Sequence, residues 1–127
     1  MSYVNKVLIV DDEESFCYLI KKNLEATGEF RVFVATSGED GIALARLERP
    51  DVVLLDIMMP QMHGADVAEE LKKDDRTKHS KIIFLTAIVR KEEIGVEPMR
   101  GIGGSKYIAK PVETQDLVRC IKEVIQE

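Results

Sequence analysis

Four short apolar runs along the chain each end on, or just before, a polar residue. Val7-Leu8-Ile9-Val10 leads into Asp11-Asp12, Val52-Val53-Leu54-Leu55 into Asp56, Ile82-Ile83-Phe84-Leu85 into Thr86, and Tyr107-Ile108-Ala109 into Lys110-Pro111. Unbroken runs of this length, separated by helical stretches, fit parallel strands buried on both faces. After the first run, Phe16, Leu19, Ile20 and Leu24 fall at i, i+3, i+4 and i+8, and Gly28 is a natural helix stop. Phe30 to Ala35 alternates Phe30, Val32 and Val34 on one face, the pattern of a half-exposed edge strand. Ser37 is placed to cap a second helix, with Asp40 three residues on. Pro50 precedes a third strand over Asp51 to Leu55, followed by a loop from Ile57 to His63 and a helix from Gly64 to Lys73. The fourth strand is Lys81 to Leu85 and the last is Ser105 to Ile108. A final helix over Thr114 to Gln126 carries Leu117, Cys120, Ile121, Val124 and Ile125 at helical spacing.

Parallel strands joined by helices imply right-handed crossovers and helices on both faces of one sheet, an α/β fold. Pattern alone does not set the strand order. Between Thr86 and Lys110 the helical pattern is interrupted by Gly95, Pro98, Gly101, Gly103 and Gly104. The expectation there is a fourth helix that is short, shifted or mobile.

The 127 residues suit one compact domain over 1–127 with a sizeable core, with no output domain after the final helix. A net charge of −5 argues against direct nucleic-acid binding through a general basic surface. No apolar stretch is long enough to span a bilayer, and Met1 to Lys6 lacks a signal-peptide pattern, so a cytoplasmic protein without membrane contact is expected. Cys17 and Cys120 sit at apolar helical positions without metal-binding or redox spacing and read as buried, reduced thiols. His63 and His79 read as surface residues without metal-ligand companions. Of Met58, Met59 and Met62, one or two are expected to pack under their loop.

In an open parallel sheet, function gathers beyond the carboxyl ends of the strands. Asp11, Asp12, Asp56, Thr86 and Lys110 would converge there. Each pair of neighbouring carboxylates would repel by about 4 kcal/mol at an effective dielectric of about 20. Such a cluster is either partly protonated or neutralised by a cation. Hard oxygen donors beside water and phosphate suit Mg²⁺, with Mn²⁺ as the alternative. Singly, each aspartate would serve equally as a helix cap or strand terminus, Thr86 as a β-branched strand residue and Lys110 as a solvated turn. The chemistry is carried by the joint pattern.

Val10-Asp11-Asp12-Glu13, Leu55-Asp56-Ile57-Met58-Met59-Pro60, Leu85-Thr86-Ala87 and Lys110-Pro111, in this order, resemble the receiver domain of bacterial two-component response regulators. Gly64, Gly103-Gly104 and Tyr107 also fall where that family has its loop glycine, small residues and switch aromatic. The resemblance covers essentially the whole chain. It implies a flavodoxin-like (βα)5 three-layer sandwich, with a parallel five-stranded sheet of order 2-1-3-4-5. By the same resemblance Asp56 would be the phosphoacceptor, taking a phosphoryl group from a sensor histidine kinase or phosphotransfer protein. Asp11 and Asp12 would hold Mg²⁺ together with Asp56 and the backbone carbonyl of Met58. Thr86 and Lys110 would contact phosphoryl oxygens, and a cis bond would precede Pro111.

Movement of Thr86 toward the new charge would let Tyr107 repack a surface of fourth helix, fifth strand and fifth helix. That surface would address an unknown downstream partner or output domain, or a second copy of the chain in a homodimer. The resemblance thus implies a signalling switch, catalysing only its own phosphorylation and dephosphorylation. A receiver-like scaffold that binds partners without phosphorylation is the alternative, which the intact acidic set argues against. An aspartate-nucleophile phosphatase would want a second Asp where Met58 stands. A flavin protein would want a phosphate loop after the first strand. Gln61-Met62-His63 and the stretch from Gly95 to Gly104 depart from the family pattern, the second where its signalling surface lies.

Overall fold

The computed structural model describes residues 4–86, 99–102, 105–110 and 112–127. In chain order the elements are β1 (Asn5–Val10), α1 (Glu14–Glu25), β2 (Phe30–Ala35), α2 (Gly38–Glu48), β3 (Val52–Asp56) and α3 (Gly64–Lys73). They continue with β4 (Lys81–Thr86), β5 (Met99–Ile102), β6 (Ser105–Ala109) and α4 (Thr114–Ile125). The strands form one sheet of order β2-β1-β3-β4-β6-β5. The three least interrupted apolar runs occupy its middle, and the alternating strand β2 lies at an edge, as its half-polar pattern requires.

The five parallel strands reproduce the expected 2-1-3-4-5 order. Beyond them the sheet gains a sixth, antiparallel strand. β5 folds back on β6, with Met99 opposite Ile108 and Ile102 opposite Ser105. The glycine-rich composition that argues against a helix here is compatible with a short hairpin partner. Residues 87–98, Gly103, Gly104 and Pro111 lie outside the described residues. With them lie the expectations of a fourth helix and of a cis bond before Pro111.

Strand alternation sorts the core into two halves. Val7, Ile9, Val52, Leu54, Ile83, Leu85 and Ile108 face one side, where Cys17, Ile20 and Leu24 of α1 and Leu117, Cys120, Ile121 and Val124 of α4 cover them. Leu8, Val10, Val53, Leu55 and Phe84 face the other, under Ile42 and Ala45 of α2 and Val67, Ala68 and Leu71 of α3. The result is the expected three-layer sandwich. In α1 the buried stripe runs through Cys17 rather than Leu19, which is 55% exposed. The helix is rotated so that Phe16 is half-buried at the edge of the core. Gly28 ends this segment at φ 78°, a conformation open to glycine at little cost.

Alternation also fixes which way each strand's last residue points. Continuing past β1, β3 and β6, it carries Asp11, Asp56 and Lys110 toward the side covered by α1 and α4. Thr86, two residues beyond Phe84, falls in register with the opposite side, and so does Tyr107, paired with Phe84.

Candidate functional site

Asp56 ends β3, and its neighbour Ile57 donates a backbone hydrogen bond to Leu85 O at 3.1 Å. The chain then loops through Met58 to His63 before α3. Gly64 seals this loop, donating to Ile57 O at 2.8 Å. Its Cα comes so close to the Asp56 carbonyl that a Cβ there would lie 2.3 Å from that oxygen. Only glycine lets the loop fold back this tightly beneath Asp56. His63 is exposed, as expected, but has a structural task as well: its Nδ1 accepts from Ala65 N at 3.3 Å and caps α3. Met59 and Met62 pack against the core beneath the loop, while Met58 is exposed.

Asp11, directly after β1, is fully buried. Its carboxylate is divided between two jobs. Oδ1 accepts from Glu13 N at 2.9 Å, tightening the turn into α1. Oδ2 lies 2.5 Å from Lys110 Nζ, a close charge-assisted contact. The same Nζ is 3.9 Å from Asp56 Oδ1. Lys110 itself is held by its backbone, donating to Thr86 O at 2.9 Å.

Carboxylate oxygens of Asp11, Asp12 and Asp56 all lie within 4.8 Å of one another, with Asp11 and Asp56 buried and Asp12 exposed. Three like charges this close, two of them out of water, are unfavourable without a cation. The consequence is visible at Asp56, whose carboxyl is pushed up to about 6. Burial is the largest cause and Asp11 the next, with Asp12 adding less, while Lys110 and a backbone hydrogen bond with Met58 work in the opposite direction. A small cluster of hard carboxylate oxygens, two of the three residues buried, fits a divalent cation such as Mg²⁺.

The structure therefore brings together Asp11, Asp12, Asp56 and Lys110 as the sequence suggests. Thr86 is buried at the end of β4, one residue past the partner of Asp56 in the sheet. Tyr107 stands further down the strand, half-buried, its ring stacked on Phe84 at 5.3 Å between centroids.

The chain as a whole has counterparts among known proteins. The family model for the response regulator receiver domain matches residues 7–122. The chain belongs to the response regulator receiver family. The receiver is 37% identical over 120 residues to protein PilH of Pseudomonas aeruginosa, covering 94% of this chain and 97% of that protein. It is 39% identical over 123 residues to the probable transcriptional regulator ycf27 of Guillardia theta, but there 95% of this chain covers 45% of the relative. A solved structure of a putative response regulator from Chloroflexus aurantiacus superposes with a TM-score of 0.81 at 26% identity, covering 98% of this chain and 100% of that one. The receiver is thus a signalling domain with the fold of the response regulators. Among the described residues no helix is long and apolar enough to cross a membrane.

Two contacts escaped the sequence reading. Cys17 Sγ–H donates to Asp11 O at 3.2 Å, and burial followed by the Asp11 charge pushes its thiol up to about 12. Phe16 places its ring over the Lys110 ammonium at 4.6 Å. Helical spacing marks both residues as apolar. Which loop lysine they face depends on how α1 is rotated, and no local pattern encodes that.

Proposed function

We propose that the receiver accepts a phosphoryl group on Asp56 from a phosphohistidine of a sensor histidine kinase or phosphotransfer protein. The observation that carries this reading is the cluster of Asp11, Asp12 and Asp56, with the Lys110 ammonium beside Asp11 and Asp56. An Asp56 oxygen attacks phosphorus, the O–P bond forms, the P–N bond breaks, and the imidazole nitrogen keeps the electron pair. Asp11, Asp12, Asp56 and the Met58 backbone carbonyl would hold Mg²⁺, with Mn²⁺ as the substitute. When bound, the ion neutralises charge on the carboxylates and the transferring phosphoryl oxygens.

The chain's own residues do the rest. Burial strips Asp56 of competing water, and the close approach of Gly64 to its backbone carbonyl lets the loop fold tightly beneath it. Lys110 supplies a compact positive charge that need travel little from Asp11 to a phosphoryl oxygen on Asp56. Thr86 offers a hydroxyl from the neighbouring strand. Its movement toward the phosphoryl group opens space on the α2/α3 side for Tyr107, whose ring is now stacked on Phe84. That exchange of positions is the switch, read by a downstream partner, an output domain or a second copy of the chain. The chain acts as a single receiver domain in the cytoplasm and catalyses only its own phosphorylation and dephosphorylation.

Incubation with acetyl phosphate and Mg²⁺, followed by intact-mass measurement, tests the acceptor. The wild type gains one phosphoryl group and Asp56→Asn gains none while keeping its circular-dichroism spectrum. Full labelling of Asp56→Asn would assign the acceptor elsewhere.

A further inference from the structure

We propose that Phe16 is a positioning residue for Lys110, its ring setting where the ammonium rests beside Asp56. The inference builds on the reading of Lys110 as the cation that grips the phosphoryl group. Lys110 has four flexible methylenes, and a charge on such a stem is only as well placed as its neighbours make it. Two of those neighbours are carboxylates, Asp11 at 2.5 Å and Asp56 at 3.9 Å. The third is the face of Phe16, with the ammonium 4.6 Å from its centroid. Only 14% of the lysine side chain remains exposed.

The position of the ring follows from the fold. Asp11, Asp56 and Lys110 are in register with the side of the sheet that α1 covers. Phe16 lies in the first turns of α1, where the Cys17 thiol ties the helix to Asp11 O. Phe16 is only half-buried, at the edge of the core rather than inside it. An aliphatic side chain would fill the same space without attracting a cation. An aromatic face attracts one without fixing the direction of its hydrogen bonds. A lysine that shifts between Asp11 and an incoming phosphoryl group gains from such a support. Its ammonium turns over the ring while its N–H groups change partners, and it need not return to water between them.

The test compares Phe16→Leu with Phe16→Tyr, each with and without Lys110→Ala. In the metal-free wild type, the Lys110 side-chain methylene protons should be shifted upfield by the ring current. That shift should vanish in Phe16→Leu and persist in Phe16→Tyr. Phe16→Leu should weaken beryllofluoride binding in the presence of Mg²⁺ about five-fold, the scale of one partly desolvated cation–π contact. Phe16→Tyr should restore it, and Phe16→Leu should add nothing once Lys110 is alanine. Ordinary Lys110 proton shifts in the wild type would overturn the proposal, and that measurement needs no variant to fold. Wild-type affinity in Phe16→Leu would overturn it too. So would an equal loss in both lysine backgrounds, since that marks a purely structural role. A wild type that never responds to beryllofluoride removes the phosphoacceptor reading itself, and this inference with it.

Discussion

Asp51 and Asp56 bracket β3 from either end and meet opposite conditions. At the amino end, Asp51 Oδ2 accepts from Lys6 N at 2.8 Å. Its backbone donates to Lys6 O and accepts from Lys81 N, each at 2.9 Å, and Ser80 Oγ closes the rim on Pro50 O at 2.6 Å. Nearby, Lys6 Nζ pairs with Glu48, while Arg46 and Arg76 converge on Asp74. Negative and positive groups are matched there, and the rim stitches strands together. At the carboxyl end, Asp56 and Asp11 are buried beside the exposed Asp12, and among the described residues the Lys110 ammonium alone pairs with Asp11 and Asp56. The same residue type is a fastener at one end and an unbalanced charge at the other. Local charge matching, rather than the presence of aspartate, separates a structural rim from a reactive one.

The largest expected effect comes from breaking the loop that holds Asp56 in place. Gly64→Ala drives a Cβ into the Asp56 carbonyl, and urea denaturation should find it less stable by about 3 kcal/mol. Stability close to wild type would mean that the loop does not clamp Asp56. The two aspartates should then respond with opposite signs in metal-free buffer at neutral pH. Asp56→Asn removes a buried charge from a repulsive cluster and should stabilise the fold by about 2 kcal/mol. Asp51→Ala leaves the Lys6 N–H without its acceptor and should destabilise by about 1 kcal/mol. Destabilisation by both would erase the contrast between the two ends.

The smallest effect concerns Asp74 at the matched end. Hydrogen bonds from the Arg76 side chain and backbone, joined by Arg46, hold its carboxyl well below the usual carboxylate range. A carboxyl whose folded pKa is lowered stabilises fully above its unfolded value of about 3.9 and loses that contribution as acid titrates the folded form. Asp74→Asn should therefore be slightly less stable than wild type at neutral pH and equal to it in strong acid. Thermal melts across that range check the convergence. A constant difference at every pH would contradict it.

Much of this contrast was legible in the chain. The unbroken runs ending on Asp56 and Thr86 placed the central strands within a residue or two, because strands buried on both faces leave little freedom in composition. Gly64 and the Asp11-Asp12 pair marked the site because close approach and dense charge restrict residue choice. The hairpin strand β5 was not legible. Gly101 argued against a helix, yet nothing local says that Met99–Ile102 returns to pair with β6, since that pairing is tertiary. The rotation of α1 was missed for a related reason. Leu19 and Cys17 are both apolar, and packing against the sheet, rather than hydropathy, chose the cysteine for the interior. The position of Phe16 over Lys110 follows from that choice.

The claim that the unmatched rim is the reactive one is tested most directly by amide NMR during titration with beryllofluoride and Mg²⁺. The account predicts large shifts around Asp11, Asp56, Thr86 and Lys110, while Lys6, Asp51 and Ser80 at the other end of the same strands stay still. An unchanged spectrum around Asp56 and Thr86, or equal shifts at both ends, would contradict it.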